Sequence, residues 1–172
     1  MRNKIDADSF KSYLEATNLP PEEQHVAIVG GGLLGLELAA ALNHQKVNVT
    51  IIQRASRLME RQLDLVSSKL LALDVKERGI QIYFDNEVNT VFDNEDSKEL
   101  NITLRSGKII TANAIVYAIG TVPNVEIAKM NGISCGRGVK VNQHLQSSDP
   151  NIFAIGEIAE YNNKLFGITS AA

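Results

Sequence analysis

Three glycines, Gly30, Gly32 and Gly35, carry the clearest chemical pattern in this 172-residue chain. They form G-x-G-x-x-G directly after the apolar run Val26 to Val29 and at the start of 35–44 (GLELAAALNH), a stretch of good helix formers. In such a loop the first glycine permits a tight turn out of a strand. The second lets backbone approach a ligand, and the third lets the helix pack close to the sheet. The free amides of the loop, those of Leu33 and Leu34 included, and the positive end of the helix then face an anion. A second β-branched run, 47–52 (VNVTII), follows the helix. The loop therefore lies in a βαβ unit of about 30 residues, the context in which this glycine spacing marks a site for the pyrophosphate of a dinucleotide.

The residues after the second strand bear on which dinucleotide. A carboxylate about 20 residues beyond the loop would hold the ribose 2′-hydroxyl of NAD. This chain has Gln53 there, followed by Arg54 and Arg57. Gln53 has the groups to hydrogen-bond a ribose hydroxyl, and the arginines suit the 2′-phosphate of NADP. The arginines read equally well as solvated turn residues, so the spacing leaves the choice open. Glu37, just inside the helix, fits two roles: a carboxylate favoured by the helix dipole, or a group beside the nicotinamide. His25, His44 and His144 are scattered without metal-ligand spacing, and no metal site is expected. No nucleophile elbow or P-loop occurs.

The elements that must position these residues follow the same alternation. Residues 6–17 read as an amphipathic helix, stopped by Asn18-Leu19-Pro20-Pro21. A second helix after the glycine loop starts at Asp64 or Ser67 and runs to about Arg78, with Leu63, Val66, Leu70 and Leu73 as its apolar face. Gly79 ends it, and Ile80 to Phe84 is a third strand. The pattern then turns all-β: 87–92, 100–105 and 108–111 read as antiparallel strands, with 93–97 and Ser106-Gly107 as turns. Ala114 to Ile119 and Ile152 to Ile155 are further apolar runs. The expected fold is α/β: a Rossmann-like parallel sheet with helices on both faces and a three-stranded antiparallel meander. Its expected divisions are a connector over 1–20, a nucleotide-binding domain over 21–125 and a return segment over 126–172.

Composition sets the outer bounds. The chain is 44% hydrophobic and 22% charged, ordinary for a soluble globular protein. A net charge of −3 argues against a nucleic-acid surface, and Gly136 to Lys140 is too short a basic stretch to change that. Cys135 is the only cysteine, so a disulfide framework within the chain is excluded. No run approaches the roughly 18 apolar residues of a membrane helix. The first residues lack the apolar stretch of a signal peptide, and the expected location is cytoplasmic.

Three segments resemble the FAD-dependent pyridine nucleotide-disulfide oxidoreductase superfamily. VAIVGGGLLGLELA at 26–39 resembles its GGGxxGxExA motif, Glu37 included. AIVYAIGTVPN at 114–124 resembles its ATGxxPN strand end, with Ala118, Ile119 and Gly120 in the motif. SSDPNIFAIGEIAE at 147–160 resembles its second FAD motif. The start of the chain, with Met1-Arg2-Asn3 and Asp6-Ala7-Asp8, resembles the segment leading into the NAD domain. The segment at 57–64 (RLMERQLD) is similar to that of NAD(P)H nitrite reductase large subunits, which also share Gly156-Glu157 and the Ala159 to Ala171 pattern.

The resemblance implies an NAD(P)H-binding domain set between two halves of an FAD domain. NAD(P)H would bind at Gly30, Gly32, Leu33, Leu34, Gly35, Glu37, Gln53, Arg54, Arg57, Ala118, Ile119 and Gly120, and FAD at Gly156 and Glu157. Glu37 would position the nicotinamide, and hydride would pass to the flavin. Two departures from the wider superfamily pull toward the nitrite-reductase type: Leu33 stands where many relatives have a Tyr, and Glu157 where most have an Asp. No CxxxxC redox pair is present. The implied whole is an FAD-dependent NAD(P)H oxidoreductase in nitrite assimilation, with sirohaem and an iron–sulfur cluster outside this chain. The expected partners are the FAD and C-terminal regions of the same polypeptide, before Met1 and after Ala172, and a second copy is admitted. The fragment alone is expected to be inactive. Rubredoxin or ferredoxin reductases and a non-catalytic nucleotide-binding module are the alternatives.

Overall fold

The computed structural model describes residues 4–94 and 99–166. Helix α1 (Lys4–Glu15) starts two residues before the expected helix and ends where Asn18 adopts a φ of 58° ahead of Pro20. The chain then alternates through β1 (His25–Val29), α2 (Leu33–His44), β2 (Asn48–Ile52), α3 (Leu65–Glu77) and β3 (Gln81–Tyr83). Strands β4 (Val88–Asn94), β5 (Glu99–Leu104) and β6 (Ile109–Ala112) follow as an antiparallel meander, and β7 (Ala114–Tyr117) returns to the first sheet. That sheet is parallel, in the order β3-β2-β1-β7, with Val26 in register with Val49 on one side and Ala114 on the other. Of the turn expected over 93–97, Asp93 and Asn94 belong to β4, and 95–97 lie outside the described residues.

Both faces of the parallel sheet are covered, which explains the unbroken apolar runs in β1 and β2. Val26, Ile28, Val49 and Ile51 point to one face. They pack there with Leu14 of α1, Ala39 and Leu42 of α2 and Val75 of α3. Ala27 and Ile52 point to the other, against Ile102, Leu104, Ile110 and Ala112 of the meander. The parallel sheet and the meander match the sequence reading. The expectation of helices on both faces does not hold: among the described residues, α1, α2 and α3 share one face and the meander closes the other. The physical reason is that β5 and β6 offer an alternating apolar face of their own, so the second sheet supplies the cover. Burying each of these Val or Ile side chains contributes about 1.5–3 kcal/mol relative to exposure.

Helix α3 corrects a second expectation. Val66, Leu70 and Leu73 are 68%, 63% and 57% exposed, while Ser68 and Val75 are buried and Leu71 and Ala72 pack on the core. The rotation of the helix follows from its start. Asp64 caps it, and the Ser68 hydroxyl donates to the carbonyl of Leu58 at 2.7 Å in the interior. Small residues at 68 and 72 let the helix approach the sheet, which the strongest apolar stripe would not.

Residues up to Gly120 form one compact unit and those from Thr121 a second. Helix α1 belongs to the first, through Leu14 in its core and a hydrogen bond from the Tyr13 hydroxyl to the carbonyl of Asn113 at 3.0 Å. The second unit holds α4 (Glu126–Met130), β8 (Val139–Lys140), β9 (Ala159–Tyr161) and β10 (Lys164–Leu165), with the strand order β10-β9-β8. Its core is Val125, Ala128, Val139, Ala154 and Ala159. Of the apolar run 152–155 only Ala154 is buried, because Phe153 forms a bridge with Gln146 and projects outward. Glu160 is buried and accepts the Gly138 amide at 2.7 Å. Cys135 is half-buried against this core.

Candidate functional site

From β1 the chain moves to β2 and β3 on one side, and it returns through the meander to β7 on the other. The carboxyl ends of β1 and β7 therefore flank the point where the strand order reverses, the place where open α/β sheets form a ligand crevice. Gly30 leaves β1 there, its amide donating to the Ile52 carbonyl at 2.8 Å. Ala118 leaves β7 beside it, its amide donating to the Val29 carbonyl at 2.8 Å.

The glycines are required by close approach and by conformation. Gly30 has a φ of 116°, and a Cβ there would lie 2.4 Å from the Ala118 carbonyl oxygen. A Cβ on Gly35 would lie 2.0 Å from the Gly30 carbonyl oxygen, so any side chain would push α2 off the loop. Gly32 is different. Its φ of −87° suits any residue, and a Cβ would meet nothing within 4 Å. What its lack of a side chain leaves is free space, directly before α2.

That space faces unpaired donors. The first bond of the helix is Leu36 N–H to Gly32 C=O at 3.0 Å, so the amides of Leu33, Leu34 and Gly35 precede the ladder. Gly32 is the N-cap and offers no side-chain bond to them. Three backbone donors at a positive helix end, beside a cradle that a Cβ would occupy, fit a pyrophosphate.

A brace that sequence spacing did not reveal holds the loop from behind. Gln53 is buried, with 8% of its surface exposed; its Oε1 accepts the Gly31 amide at 2.7 Å, and its Nε2 donates to the Arg57 carbonyl at 3.1 Å. The Met59 amide donates to the Gly31 carbonyl at 2.9 Å. Leu58 is fully buried, and its Cδ2 lies 2.5 Å from where a Gly31 Cβ would stand. Gly31, Leu58, Met59 and Ser68 thus link the glycine loop to the start of α3. The middle glycine of Gly30-Gly31-Gly32, which the G-x-G-x-x-G spacing does not require, is the signal that could have pointed to this packing.

The other predicted site residues are distributed as follows. Arg54 is mostly exposed, with Glu87 at 3.9 Å. Arg57 donates through Nη2 to the Glu60 carbonyl at 3.0 Å. Leu34 and Ile119 are exposed, and Gly120 has a φ of 107°. Glu37 is exposed and lies fifth in α2, beyond its first turn, which holds no acidic residue. The dipole account of Glu37 therefore loses its footing. Gly156 and Glu157 lie in the second unit, in a short 3-10 turn, with Glu157 exposed. The Ala159 to Ala171 pattern runs partly outside the described residues. His25 sits at the amino end of β1, bonded to Thr50 Oγ1 at 2.8 Å; burial lowers its pKa. A cleft of about 340 Å³ opens at that end, lined by residues including Glu23, His25 and Gln81, on the opposite edge from the glycine loop. Among the described residues no group of three or more His, Cys, Asp or Glu is placed to hold a metal, and no helix is long and apolar enough to cross a membrane.

A family model described as pyridine nucleotide-disulphide oxidoreductase matches residues 4–172. The chain belongs to this family. It is 35% identical over 153 residues to the assimilatory nitrate reductase electron transfer subunit of Bacillus subtilis, covering 89% of this chain and 20% of that protein. It is also 35% identical to rhodocoxin reductase of Rhodococcus erythropolis, covering 94% of this chain and 36% of that one. Among solved structures it is similar to putidaredoxin reductase in complex with putidaredoxin, with a TM-score of 0.81 at 27% identity, over 93% of this chain and 37% of that one. The chain thus spans about a fifth to about a third of the length of these curated relatives.

Proposed function

We propose that this chain is the NAD(P)H-binding part of an FAD-dependent reductase. The observation that carries the reading is the open end of α2: the unpaired amides of Leu33, Leu34 and Gly35 beside the vacant space at Gly32, at the reversal point of the sheet. Gly30, Gly32, Leu33, Leu34 and Gly35 bind the pyrophosphate, and Ala118, Ile119 and Gly120 form the opposite wall. Gln53, Arg54 and Arg57 stand at the adenosine side, and Glu37 positions the nicotinamide through its exposed carboxylate. Residues 21–125 are the nucleotide-binding domain, reached through 1–20, and 126–172 lead back toward a flavin domain formed with other parts of the polypeptide. In that second region Gly156 and Glu157 hold FAD: space is open beside Gly156, and Glu157 has no partner among the described residues. The flavin, when bound, accepts the hydride. This chain's residues hold and orient the donor.

The nitrite-assimilating reading draws on the segment 57–64 and on the nitrate and nitrite reductase relatives, which include the NADH nitrite reductase large subunit of Escherichia coli at 34% identity. In that reading electrons continue to sirohaem and an iron–sulfur cluster outside the chain, in the cytoplasm. A second reading, a reductase of small electron-carrier proteins, is favoured by the equal identity to rhodocoxin reductase. One experiment tests both. The whole polypeptide is purified, its absorbance spectrum recorded, and NADH or NADPH added without oxygen. Flavin bands that bleach on addition are expected; a colourless protein would overturn the proposal. Sirohaem bands beside the flavin support nitrite reduction, and flavin alone supports the second reading.

A further inference from the structure

Helix α3 is apolar on two opposite faces. At about 3.6 residues per turn, Ser68, Leu71, Ala72 and Val75 turn toward the sheet and are buried or half-buried there. Val66, Leu70 and Leu73 lie on the other side of the helix and are largely exposed. A helix with an apolar stripe on each side is suited to being covered twice, and a contiguous exposed patch of this kind marks an interaction surface. The core accounts for the inner stripe. Neither the glycine loop nor the second unit gives the outer one any work.

The borders of the outer stripe carry opposite charge. In the seven-residue frame that places Val66 and Leu73 at d and Leu70 at a, Lys69 and Lys76 fall at g and Asp74 at e. Lys69 forms no ion pair among the described residues. Asp74 holds Arg78 through both carboxylate oxygens, at 2.8 Å and 3.0 Å, and each oxygen keeps a lone pair for a second cation. This pattern selects an occupant. Against a second α3 running parallel, each Lys69 meets Asp74 of the other copy, five residues further along. Run antiparallel, the lysine borders would face each other, and so would the Asp74 borders.

We propose that the outer face of α3 pairs with a second copy of this chain, the two helices running parallel about a two-fold axis. Val66, Leu70 and Leu73 meet their own counterparts along the seam, and Lys69 and Asp74 form two equivalent ion pairs across it. The start of α3 is tied to the glycine loop through Leu58 and Met59, so both loops come to the same end of the pair. Three apolar layers fall short of the roughly 800 Å² per partner of a stable interface, which makes the pair weak and concentration-dependent.

Sedimentation equilibrium of the whole chain from about 10 µM to about 1 mM tests this. The mass should rise from the 18.8 kDa of one chain toward twice that value. Leu70→Glu should hold it at one chain throughout, with an unchanged circular dichroism spectrum because the residue is exposed. Lys69→Asp and Asp74→Lys should each weaken pairing about tenfold, since each sets like charges across both ion pairs. An equimolar mixture of these two variants should restore it, because every pair across the seam is then opposite in sign. Orientation is read from Val66→Cys in a Cys135→Ser background under mild oxidation. Parallel helices bring the two new thiols within disulfide reach, whereas an antiparallel pair centred on Leu70 would part them by about 12 Å along the axis. A chain that stays monomeric at about 1 mM would overturn the proposal. So would a dimer that survives Leu70→Glu, or one that forms no disulfide at position 66.

Discussion

Helices α2 and α3 begin with almost the same backbone and opposite chemistry. Gly32 and Asp64 are both extended N-caps, with φ, ψ of −87°, −173° and −70°, 177°. At α3 the Asp64 carboxylate accepts the Ser67 amide at 2.7 Å, so the helix satisfies a donor itself and places a negative charge at its own positive end. At α2 the cap has no side chain, and the first amides are left without a partner among the described residues. One sheet thus carries a closed helix end and an open one. The difference teaches that an absent side chain can leave a helix end open as plainly as a present one closes it. Asp64 is also held below its ordinary pKa, chiefly by the Ser67 amide, so its charge persists into acid.

The comparison is most severely broken at Gly35. A methyl group there meets the Gly30 carbonyl oxygen at 2.0 Å. Gly35→Ala should lower unfolding free energy by about 1–3 kcal/mol in urea titrations. It should also abolish measurable nucleotide binding, because the open helix end is pushed away from its loop. Gln53→Leu removes the partners of the Gly31 amide and the Arg57 carbonyl at a buried position, and should cost about 1–3 kcal/mol by the same measurement. A cost near zero would mean that the loop needs no brace.

Gly32→Asp sharpens the contrast by giving α2 the cap of α3. The backbone accepts the change and the Cβ has room. Stability should rise by a few tenths of a kcal/mol, about the difference between Gly and a side-chain cap. NADH and NADPH affinity should fall by about tenfold or more, read by calorimetry, since the new carboxylate takes the amides and repels the pyrophosphate. An unchanged affinity would place the ligand elsewhere.

The smallest effect concerns pH. The folded pKa of Asp64 is depressed, so its contribution is complete above the unfolded carboxylate value near 3.8 and fades as pH falls through the lower folded value. Asp64→Asn keeps a neutral cap. The difference in Tm between the two proteins should therefore stay constant down to about pH 5 and shrink below pH 4.

Much of this was legible in the residue order. The strand before the glycine loop, the helix after it, the meander and the return to β7 follow from period, turn chemistry and β-branched runs, all of them short-range signals. The glycine spacing located the loop because each glycine answers a local steric demand. Three things were not legible. Covering one sheet face with the meander, and not with helices, depends on long-range packing. The rotation of α3 depends on Ser68 reaching Leu58 and on small residues facing the sheet, whereas the sequence shows only that Val66, Leu70 and Leu73 are apolar. Glu37 lies one residue past the helix's first turn because α2 begins at Leu33.

The sequence by itself determined where the glycine loop lies, because steric necessity at Gly30 and Gly35 is written in residue type. Only the tertiary structure decided what Gln53 does. From spacing it was a residue able to hydrogen-bond a ribose hydroxyl. In the folded chain its amide is committed to Gly31 and Arg57. The reason is geometric: hydrogen-bond partners are chosen by the approach of β2, the loop and the 57–59 segment in space, and residue order alone does not encode that approach.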